Sequence, residues 1–301
     1  MDIRKYEVFL KVVERGNINT VSYDLGYTHS GVSKMINSME NELGFQIVKR
    51  TNKGITLTKE GEQLIPIIRN IVRENDKFEE EVALINGLES GSARIGCFPT
   101  TGIVLLPKLI EEFNELHPNV NIQIMEEDSL TEIDKWLNNG IIDIAVYSKQ
   151  EHHKFDWIWE WDDDYVALLP RNHRLTKCDV VSISELFEEK VIPFRSYMGL
   201  DQDIVKIFKN KDADVREISG VSSNADLIVS KLVSSGKYVA LIPKLIAGFA
   251  ARTFDLTYRP IDVQFSRTIG FAVKDKKNLS PTVKKLVEFI KAHDFQKDMY
   301  E

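Results

Sequence analysis

Residues 17–61 read NINTVSYDLGYTHSGVSKMINSMENELGFQIVKRTNKGITLTKEG, and this stretch decides the fold of the N-terminal part of the chain. Its first segment, near residues 18–25, has the length of a short helix and ends at Gly26. In the next segment the apolar residues recur at steps of four, three and four: Val32, Ile36, Met39 and Leu43. Gly44 ends this pattern, because glycine readily adopts the left-handed conformation that terminates helices. Two short helices joined at a glycine predict a helix-turn-helix.

A β-hairpin is predicted directly after these helices. Residues 45–48 and 55–58 alternate as strands do, and the turn between them contains Asn52, Lys53 and Gly54. Upstream, the apolar residues between positions 6 and 13 recur at helical spacing and predict one more helix. The helices and the hairpin together predict an all-α winged helix-turn-helix domain over residues 1–58.

A long helix is predicted over residues 59–90. Its seam residues follow alternating steps of four and three: Leu64, Ile68, Ile71, Asn75, Phe78, Val82 and Ile85. This spacing is typical of a coiled coil, and an Asn at the position of Asn75 typically fixes the register of two helices. We therefore predict a dimer interface along this seam, with a solvated surface helix as the alternative. Pro66 removes a backbone donor and is expected to kink the helix near its first turns.

The remaining residues, 91–301, alternate strand patterns with helical patterns. The strand patterns ARIGCF, VNIQIM and IDIAVY are separated by two helical segments, which is the order of a parallel βαβαβ sheet. A second set follows, with strands at YVALLP, VIPF, EISGV and YVALIP. We expect two α/β lobes with a cleft between them. Lobe I covers about residues 91–161 and 267–301, and lobe II covers about residues 162–266.

Composition and charge limit the class of protein. The chain has no apolar run long enough to span a membrane and no signal-peptide pattern, which predicts a cytoplasmic protein. Its two cysteines, Cys97 and Cys178, form no CxxC motif, so no structural metal is expected. The net charge is −7, yet residues 1–58 hold eight Lys and Arg against six Asp and Glu. Because DNA phosphates require local positive charge, DNA binding would have to come from this segment, in several copies.

The stretch 17–61 resembles the hallmark of LysR-type transcriptional regulators. The matching residues occur at the family's spacing without gaps: Ser33, Glu40, Leu43, Gly44, Arg50, Gly54, Leu57, Thr58 and Gly61. Val21 and Ser22 depart from the two alanines that are usual there, and His29 departs from a frequent Gln. The change at Val21 and Ser22 is expected to loosen helix packing, and His29 to change the base preference.

The downstream region resembles the family's effector domain, a two-lobed fold like that of periplasmic binding proteins. The landmarks are Arg94-Ile95-Gly96, Leu106-Pro107, and residues 140–143 and 235–243. The resemblance implies a homo-dimer or homo-tetramer that binds double-stranded promoter DNA and responds to a small-molecule co-inducer. It leaves RNA polymerase open as a further partner, and it implies neither a cofactor nor an enzymatic activity.

Polar residues of the third helix and the wing are the candidates for DNA contact. The third helix buries its apolar face, which leaves its polar face free to enter a major groove. Lys34 could contact a guanine edge or a phosphate, whereas the wing suits the backbone or the minor groove. Each residue alone could equally belong to a solvated face. The candidates are Thr28, His29, Ser30, Gly31, Ser33, Lys34, Asn37, Arg50, Thr51 and Lys53.

The resemblance places the effector between the two lobes, next to the loop after the first strand. This loop opens a helix, whose backbone N–H groups suit a carboxylate or phosphate, so we favour an anionic metabolite. Its residues are Pro99, Thr100, Thr101 and Gly102. Further candidates by position at strand or helix ends are Ser129, Ser148, Ser196, Ser223 and Asn224, each of which could instead be an ordinary helix cap.

Two alternative functions remain open from the sequence. Oxidation of Cys97 and Cys178 could replace the metabolite as the trigger, although the layout places the two residues in different lobes. The α/β cleft could also serve an enzyme or a solute-binding protein, but no nucleophile–base motif, phosphate loop or signal peptide supports this. We interpret residues 162–164, three consecutive aspartates, as a turn, and His152 and His153 as part of a polar loop.

Overall fold

A computed structural model of the protein describes residues 2–51, 54–87, 90–193 and 225–300, together with Val221 and Ser223. Its N-terminal part contains the predicted helices and hairpin. These elements are α1 (Ile3–Arg15), α2 (Ile18–Asp24), α3 (His29–Leu43), β1 (Val48–Thr51) and β2 (Gly54–Leu57). The apolar faces of the three helices meet in one small core, to which Phe9, Val32 and Met39 contribute fully buried side chains. The winged helix-turn-helix is therefore confirmed.

The first wing strand begins three residues later than the sequence predicted. Phe45 lies outside the strand and is largely exposed, and β1 starts at Val48. The reason is a side chain of α3: the Glu40 carboxylate accepts hydrogen bonds from the backbone N–H groups of Ile47 (2.9 Å) and Val48 (3.2 Å). These donors are therefore satisfied by a carboxylate before the hairpin ladder begins, at Val48 opposite Leu57.

The long helix α4 (Lys59–Ile85) joins the two parts of the chain. It is one continuous helix that includes Pro66. Ile65 and Ile68 are buried in the core of the N-terminal domain, so Ile68 packs within its own chain. This corrects the predicted seam, in which Ile68 faced a partner helix; Leu64 also packs against the same core.

The C-terminal part is built on a mixed sheet. Its strands are β3 (Gly91–Cys97), β4 (Val120–Glu126), β5 (Ile144–Ser148), β6 (Asp156–Pro170), β7 (Val191–Pro193), β8 (Val239–Pro243), β9 (Leu256–Pro260) and β10 (Ser266–Val273). The strand order is β4-β3-β5-β10-β6-β8-β7, and β9 pairs with β6. β3 is parallel to β4 and β5, as the βαβαβ pattern predicted.

Strand β6 connects the two lobes, because it changes partners along its length. Up to Asp164 it pairs with β10, and from Tyr165 onward it pairs with β8 and β9. Each lobe has its own buried apolar clusters. The interpretation of residues 162–164 as a turn is wrong: they lie within β6, and Asp163 is fully buried.

Helices cover the faces of this sheet. They are α5 (Pro99–Leu116), α6 (Leu130–Asn138), α7 (Ile183–Phe187), α8 (Asp226–Val233), α9 (Lys244–Thr253), α10 (Pro281–Ala292) and α11 (Phe295–Tyr300), with 3-10 turns at Arg174–Lys177 and Lys276–Asn278. The helix predicted near residues 202–209 lies outside the described residues. Within the described ranges, no helix combines the length and apolar character that crossing a bilayer requires. The mixed sheet and the helices that cover it confirm the α/β fold class.

Candidate functional site

Helix α3 exposes a polar face at the surface of the N-terminal domain. Thr28 caps the helix by accepting a hydrogen bond from the N–H of Gly31 (3.0 Å), and its hydroxyl lies 3.1 Å from that of Ser30. His29, Ser30 and Lys34 are exposed, because the apolar residues of α3 face the core. The start of α3 therefore presents short polar groups and one cation, which suits insertion into a groove of DNA.

Arg50 on the wing is attached to the same face of α3. Its Nη2 donates to Ser33 Oγ (2.9 Å) and to Asn37 Oδ1 (3.2 Å). The structure thus brings together three predicted DNA-contact residues that lie up to 17 positions apart in the sequence. The guanidinium carries further donors beyond these two contacts, so it can position α3 against the wing and still reach a phosphate.

Gly54, the first residue of β2, permits the wing to approach the end of α1 closely. Gly54 has a φ of +123°, and a Cβ there would lie 2.5 Å from the carbonyl oxygen of Gly16. Ile55 N–H donates to that same carbonyl (2.7 Å), which holds the wing against the end of α1. Thr51 donates to the Gly54 carbonyl (2.9 Å). Lys53 lies outside the described residues.

Two buried hallmark residues hold the domain together. Thr58 caps α4 by accepting from Gly61 N–H (3.0 Å), and its hydroxyl donates to the Gln46 carbonyl (2.8 Å). Gly61 lies so close to the Ile47 carbonyl oxygen that a Cβ would come within 2.2 Å of it. The resemblance to the LysR hallmark includes both positions. Their structural role is explained by the packing of α4 on the wing.

The predicted effector loop forms the first turn of α5. Its cap residue, Phe98, makes no side-chain cap hydrogen bond within the described chain, and Pro99 follows at the first helical position. Thr100 is nearly buried, and Thr101 is fully buried, with its hydroxyl donating to the Val146 carbonyl (2.7 Å). Thr101 therefore secures α5 to β5 through its side chain, and only its backbone N–H remains as a candidate ligand contact.

The serine candidates differ in what their hydroxyls do. Ser129 caps α6, and Ser223 accepts from the N–H of Ala225 (3.1 Å), so both hydroxyls make local backbone contacts. Ser148 is fully buried at the end of β5, and its hydroxyl finds no hydrogen-bond partner among the described residues. Ser196 and Asn224 lie outside the described residues. Among the described members of this set, Ser148 is the one with unused hydrogen-bonding capacity.

A buried ion pair that the sequence did not predict lies where the lobes join. Arg267 on β10 donates from Nε to Asp163 Oδ2 (3.0 Å), and Asp163 Oδ1 accepts from Leu245 N–H (2.9 Å) at the start of α9. Asp226, the first residue of α8, is also buried. Burial, reinforced by the charge of Asp163 and opposed by that of Arg267, raises the pKa of Asp226 to about 7. No periodic signal in the sequence distinguishes Asp163 from its neighbours Asp162 and Asp164.

Two effector-domain landmarks serve the packing of lobe I. Arg94 binds the Asp143 carboxylate with two side-chain donors, Nε to Oδ2 (3.0 Å) and Nη2 to Oδ1 (2.9 Å). The Arg94 backbone N–H donates to the same carboxylate (2.9 Å). A bidentate pair of this kind is geometrically specific. It fixes β3 against the start of β5 and takes no part in the inter-lobe site.

The two cysteines lie in separate cores. Cys97 is buried in the core of lobe I, and Cys178 packs against the core of lobe II. Burial, with a smaller contribution from Glu126, raises the pKa of the Cys97 thiol to about 11. Because the thiolate is the reactive form, Cys97 is poorly suited to oxidation at neutral pH. This arrangement does not favour a disulfide switch.

His153 is buried in an aromatic cluster, contrary to the polar-loop interpretation. Its ring stacks on Tyr147 (5.2 Å between centroids) and Trp157 (5.9 Å), and its Nε2 lies 3.2 Å from Asp134 Oδ1. Asp134, His152 and His153 are close enough to share a metal ion. However, the Gln150 N–H donates to His153 Nδ1 (3.2 Å), which places the ring proton on Nε2. With the proton on Nε2, which faces Asp134 Oδ1, this nitrogen offers no lone pair to a metal.

The exposed part of the α4 seam begins after Ile68. Ile71, Phe78, Val82 and Ile85 are exposed, with 66% of Phe78 and 82% of Ile85 accessible. Asn75 donates to Glu79 Oε1 (3.1 Å) on the same helix. A continuous apolar stripe of this length is costly in water and typically marks an interaction surface. Its role in dimerisation stays a prediction.

The family is shown by comparison with known proteins. The model described as the LysR substrate binding domain matches residues 86–294, and the model of the bacterial regulatory helix-turn-helix protein, lysR family, matches residues 3–62. The chain therefore belongs to the LysR family. It is a DNA-binding transcriptional regulator with a ligand-binding domain, and it is not an enzyme.

Similar proteins span nearly the whole chain. The uncharacterized HTH-type transcriptional regulator YvbU of Bacillus subtilis is 26% identical, with 97% of this chain and 98% of YvbU covered. The transcriptional dual regulator GltC of Bacillus subtilis is also 26% identical, with 96% of each chain covered. Among solved structures, full-length OxyR from Pseudomonas aeruginosa, in a variant form, has a TM-score of 0.70 at 17% identity, covering 98% of this chain and 96% of its own. That likeness shows the shared fold.

Proposed function

We propose that the protein is a homo-oligomeric regulator that binds promoter DNA through the exposed face of α3 and the wing, and that a small anion bound between the lobes changes this binding. The residues proposed to contact DNA are Thr28, His29, Ser30, Gly31, Ser33, Lys34, Asn37, Arg50, Thr51 and Lys53. Because bacterial DNA lies in the cytoplasm, the proposed site of action is there.

The observation that carries the DNA part of this proposal is the joined surface of α3 and the wing. Arg50 holds Ser33 and Asn37 at hydrogen-bond distance, and Lys34 lies exposed beside them. Positive charge on this surface favours phosphates, and the short polar side chains are able to reach base edges. The net charge of the whole chain is −7, so this local surface has to supply the attraction.

Two observations support an anionic effector. The first turn of α5 has no side-chain cap in the described chain, so the backbone N–H groups of Thr100 and Thr101 are available to an anion. Ser148 lies on the adjacent strand, two positions after Val146, whose carbonyl accepts from the backbone N–H of Phe98 (3.1 Å). Its free hydroxyl adds a donor at the carboxyl ends of parallel strands, where α/β proteins commonly bind ligands.

Fluorescence anisotropy tests the DNA part. We would titrate the full chain onto the DNA upstream of its own gene and onto a scrambled duplex of the same length, at several salt concentrations. Binding that prefers the native sequence and weakens steeply with salt is expected, because phosphate contacts release counterions. Equal affinity for both duplexes at every salt concentration would contradict sequence-specific promoter binding.

Thermal unfolding tests the effector part. We would compare panels of small carboxylates and small amines on the wild-type chain, the Ser148→Ala variant and the control Ser129→Ala, which removes a helix cap in the same lobe. A carboxylate is expected to raise the unfolding temperature of the wild type and of Ser129→Ala, with a smaller rise for Ser148→Ala. Stabilisation by amines alone would contradict an anionic effector, because the buried carboxylates Asp163 and Asp226 would then be the better candidates.

A further inference from the structure

A cavity of about 170 Å³ lies where the linker helix α4 meets lobe I. Asn70, Arg73 and Lys77 line it from the helix, and Lys274 and Asn278 are among the residues that line it from the lobe. This volume is below the roughly 300–1,000 Å³ of pockets for drug-sized ligands, so the cavity admits only a small ligand. It is separate from the first turn of α5, because no residue of that turn lines it.

The charged side chains around this junction cavity have a net positive charge. Lys77 is paired with Glu74 (2.9 Å), and the lining carboxylate Asp143 is paired with Arg94 (2.9 Å). Lys274 Nζ donates to the backbone carbonyl of Asn138 (2.6 Å), a neutral acceptor that leaves its charge in place. Arg73 and Lys274 therefore face the cavity against one remaining lining carboxylate, that of Asp275.

Arg73 also carries an unused donor. Its Nη2 donates to Asn70 Oδ1 (3.1 Å), but its Nε is buried and has no hydrogen-bond acceptor among the described residues. The nearest ion-pair contact of Nε, to Glu74 Oε1, is 3.9 Å long, which is beyond hydrogen-bond distance. Buried donors are almost always satisfied, whereas this one has no acceptor in the described part of the chain. The guanidinium fork suits an oxyanion that accepts two hydrogen bonds.

We propose that the junction cavity binds a doubly charged oxyanion, either phosphate or a small dicarboxylate, between Arg73 and Lys274. One cation belongs to the linker helix and the other to lobe I, so the bound anion bridges the two. Helix α4 continues from this point into the N-terminal core through Ile65 and Ile68. The anion therefore restrains the position of the DNA-binding domain relative to the effector domain, at a site distinct from the inter-lobe cleft.

Calorimetric titration of the full chain with inorganic phosphate, and separately with succinate, at constant ionic strength tests this proposal. Saturable binding of at least one of the two anions is expected. The anion that binds shows whether the cavity takes phosphate or a dicarboxylate. Arg73→Gln and Lys274→Gln are each expected to weaken binding by roughly tenfold or more, because each removes a charge-assisted hydrogen bond. Arg171→Gln is the matched control, since Arg171 is 70% exposed on lobe II and pairs with Asp255.

The surface of α3 and the wing also attracts phosphate, so Arg50→Gln has to be titrated in parallel.

Hydrogen exchange provides an independent measurement: slower exchange in residues 70–78 and 274–280 on anion addition is expected for binding at the junction. If Arg73→Gln fails to fold, the affinity of Lys274→Gln and the hydrogen-exchange data together test whether the anion binds at the junction cavity. Absence of saturable binding, loss of binding in Arg50→Gln alone, or unchanged binding in Lys274→Gln would each overturn the proposal.

Discussion

Among single residues, Arg50 and Lys34 have different roles in the proposed DNA surface. Arg50 is attached to Ser33 and Asn37, so part of its hydrogen-bonding capacity fixes the wing to α3. Lys34 is exposed on α3, next to Ser33. Loss of Lys34 therefore removes a charge without disturbing the domain, whereas loss of Arg50 would change both charge and geometry.

Lys34→Ala is accordingly expected to weaken DNA binding while leaving the oligomeric state unchanged. Loss of one phosphate contact lowers the salt dependence by about 1, and loss of a base contact costs about 1–3 kcal/mol. Anisotropy titrations at several salt concentrations measure both quantities. Lys135→Ala, which removes an exposed lysine of lobe I, is the control. Unchanged affinity and unchanged salt slope would show that Lys34 does not face DNA.

Cys97 is expected to resist alkylation at neutral pH. Burial raises the pKa of its thiol to about 11, so the thiolate becomes abundant only in strongly alkaline solution. Cys178 is partly exposed and serves as the internal control. Mass spectrometry after iodoacetamide at pH 7.5 should show modified Cys178 and intact Cys97. A disulfide between the two residues after peroxide treatment would restore the redox hypothesis.

At the scale of elements, helix α4 has three different surroundings along its length. Its first turns are buried in the N-terminal domain through Ile65 and Ile68. Near its end, the Glu80 carboxylate accepts from the backbone N–H groups of Ser92 (3.3 Å) and Thr282 (3.1 Å), which docks the helix onto lobe I. Another face, which includes Phe78, is apolar and exposed. This last face is free for a partner.

Phe78→Asp is therefore expected to dissociate the proposed oligomer. A charge at the centre of an apolar interface has to be desolvated without a partner, which strongly opposes association. Light scattering coupled to size-exclusion chromatography would report a smaller assembly. Glu81→Ala, an exposed change on the same helix outside the seam, should leave the assembly intact. An unchanged mass for Phe78→Asp would place the interface elsewhere.

At the scale of the whole molecule, strands β6 and β10 connect the two lobes, and buried charges lie at this connection. Asp163 on β6 and Arg267 on β10 form the ion pair there, and Asp163 also accepts from the first turn of α9. Removing one partner of a buried pair leaves an uncompensated charge, which is far more destabilising than losing a surface pair. Asp226 adds a second carboxylate close enough to alter the local electrostatics.

Asp226 makes the stability of the effector domain depend on pH. Burial raises its pKa to about 7 from an ordinary value of 3.8. As pH rises between these values, the unfolded chain releases a proton that the folded chain retains, so the stability of the folded state falls. Asp226→Asn removes this titration, and its stability relative to the wild type is expected to be higher at pH 8 than at pH 4.

Urea unfolding at both pH values measures this difference. Asp255→Asn is the control, because this carboxylate is exposed and lies away from the buried charges of Asp163, Asp226 and Arg267. A relative stability of Asp226→Asn that is the same at pH 4 and pH 8 would show that folding does not raise the pKa of Asp226.

The family, the order of elements and the division into a DNA-binding domain, a linker helix and an α/β domain follow from the amino-acid sequence alone. These features depend on local periodicity and on glycine and capping residues, which act over one or two helical turns. The apolar steps of α3 and the βαβαβ pattern of lobe I are examples. The start of β1 was misplaced, because the Glu40 carboxylate, seven residues earlier, satisfies the Ile47 N–H.

Which polar residues are paired and which are left without a partner is seen in the folded chain and not in its sequence. Asp163 was interpreted as part of a turn, because its partner Arg267 lies 104 residues away. The same limit applies to Ile68, which fits a seam pattern but packs in its own domain, and to Arg73, whose cavity is lined in part by residues 274–283. Burial and pairing depend on contacts between distant segments, and periodicity carries no information about them.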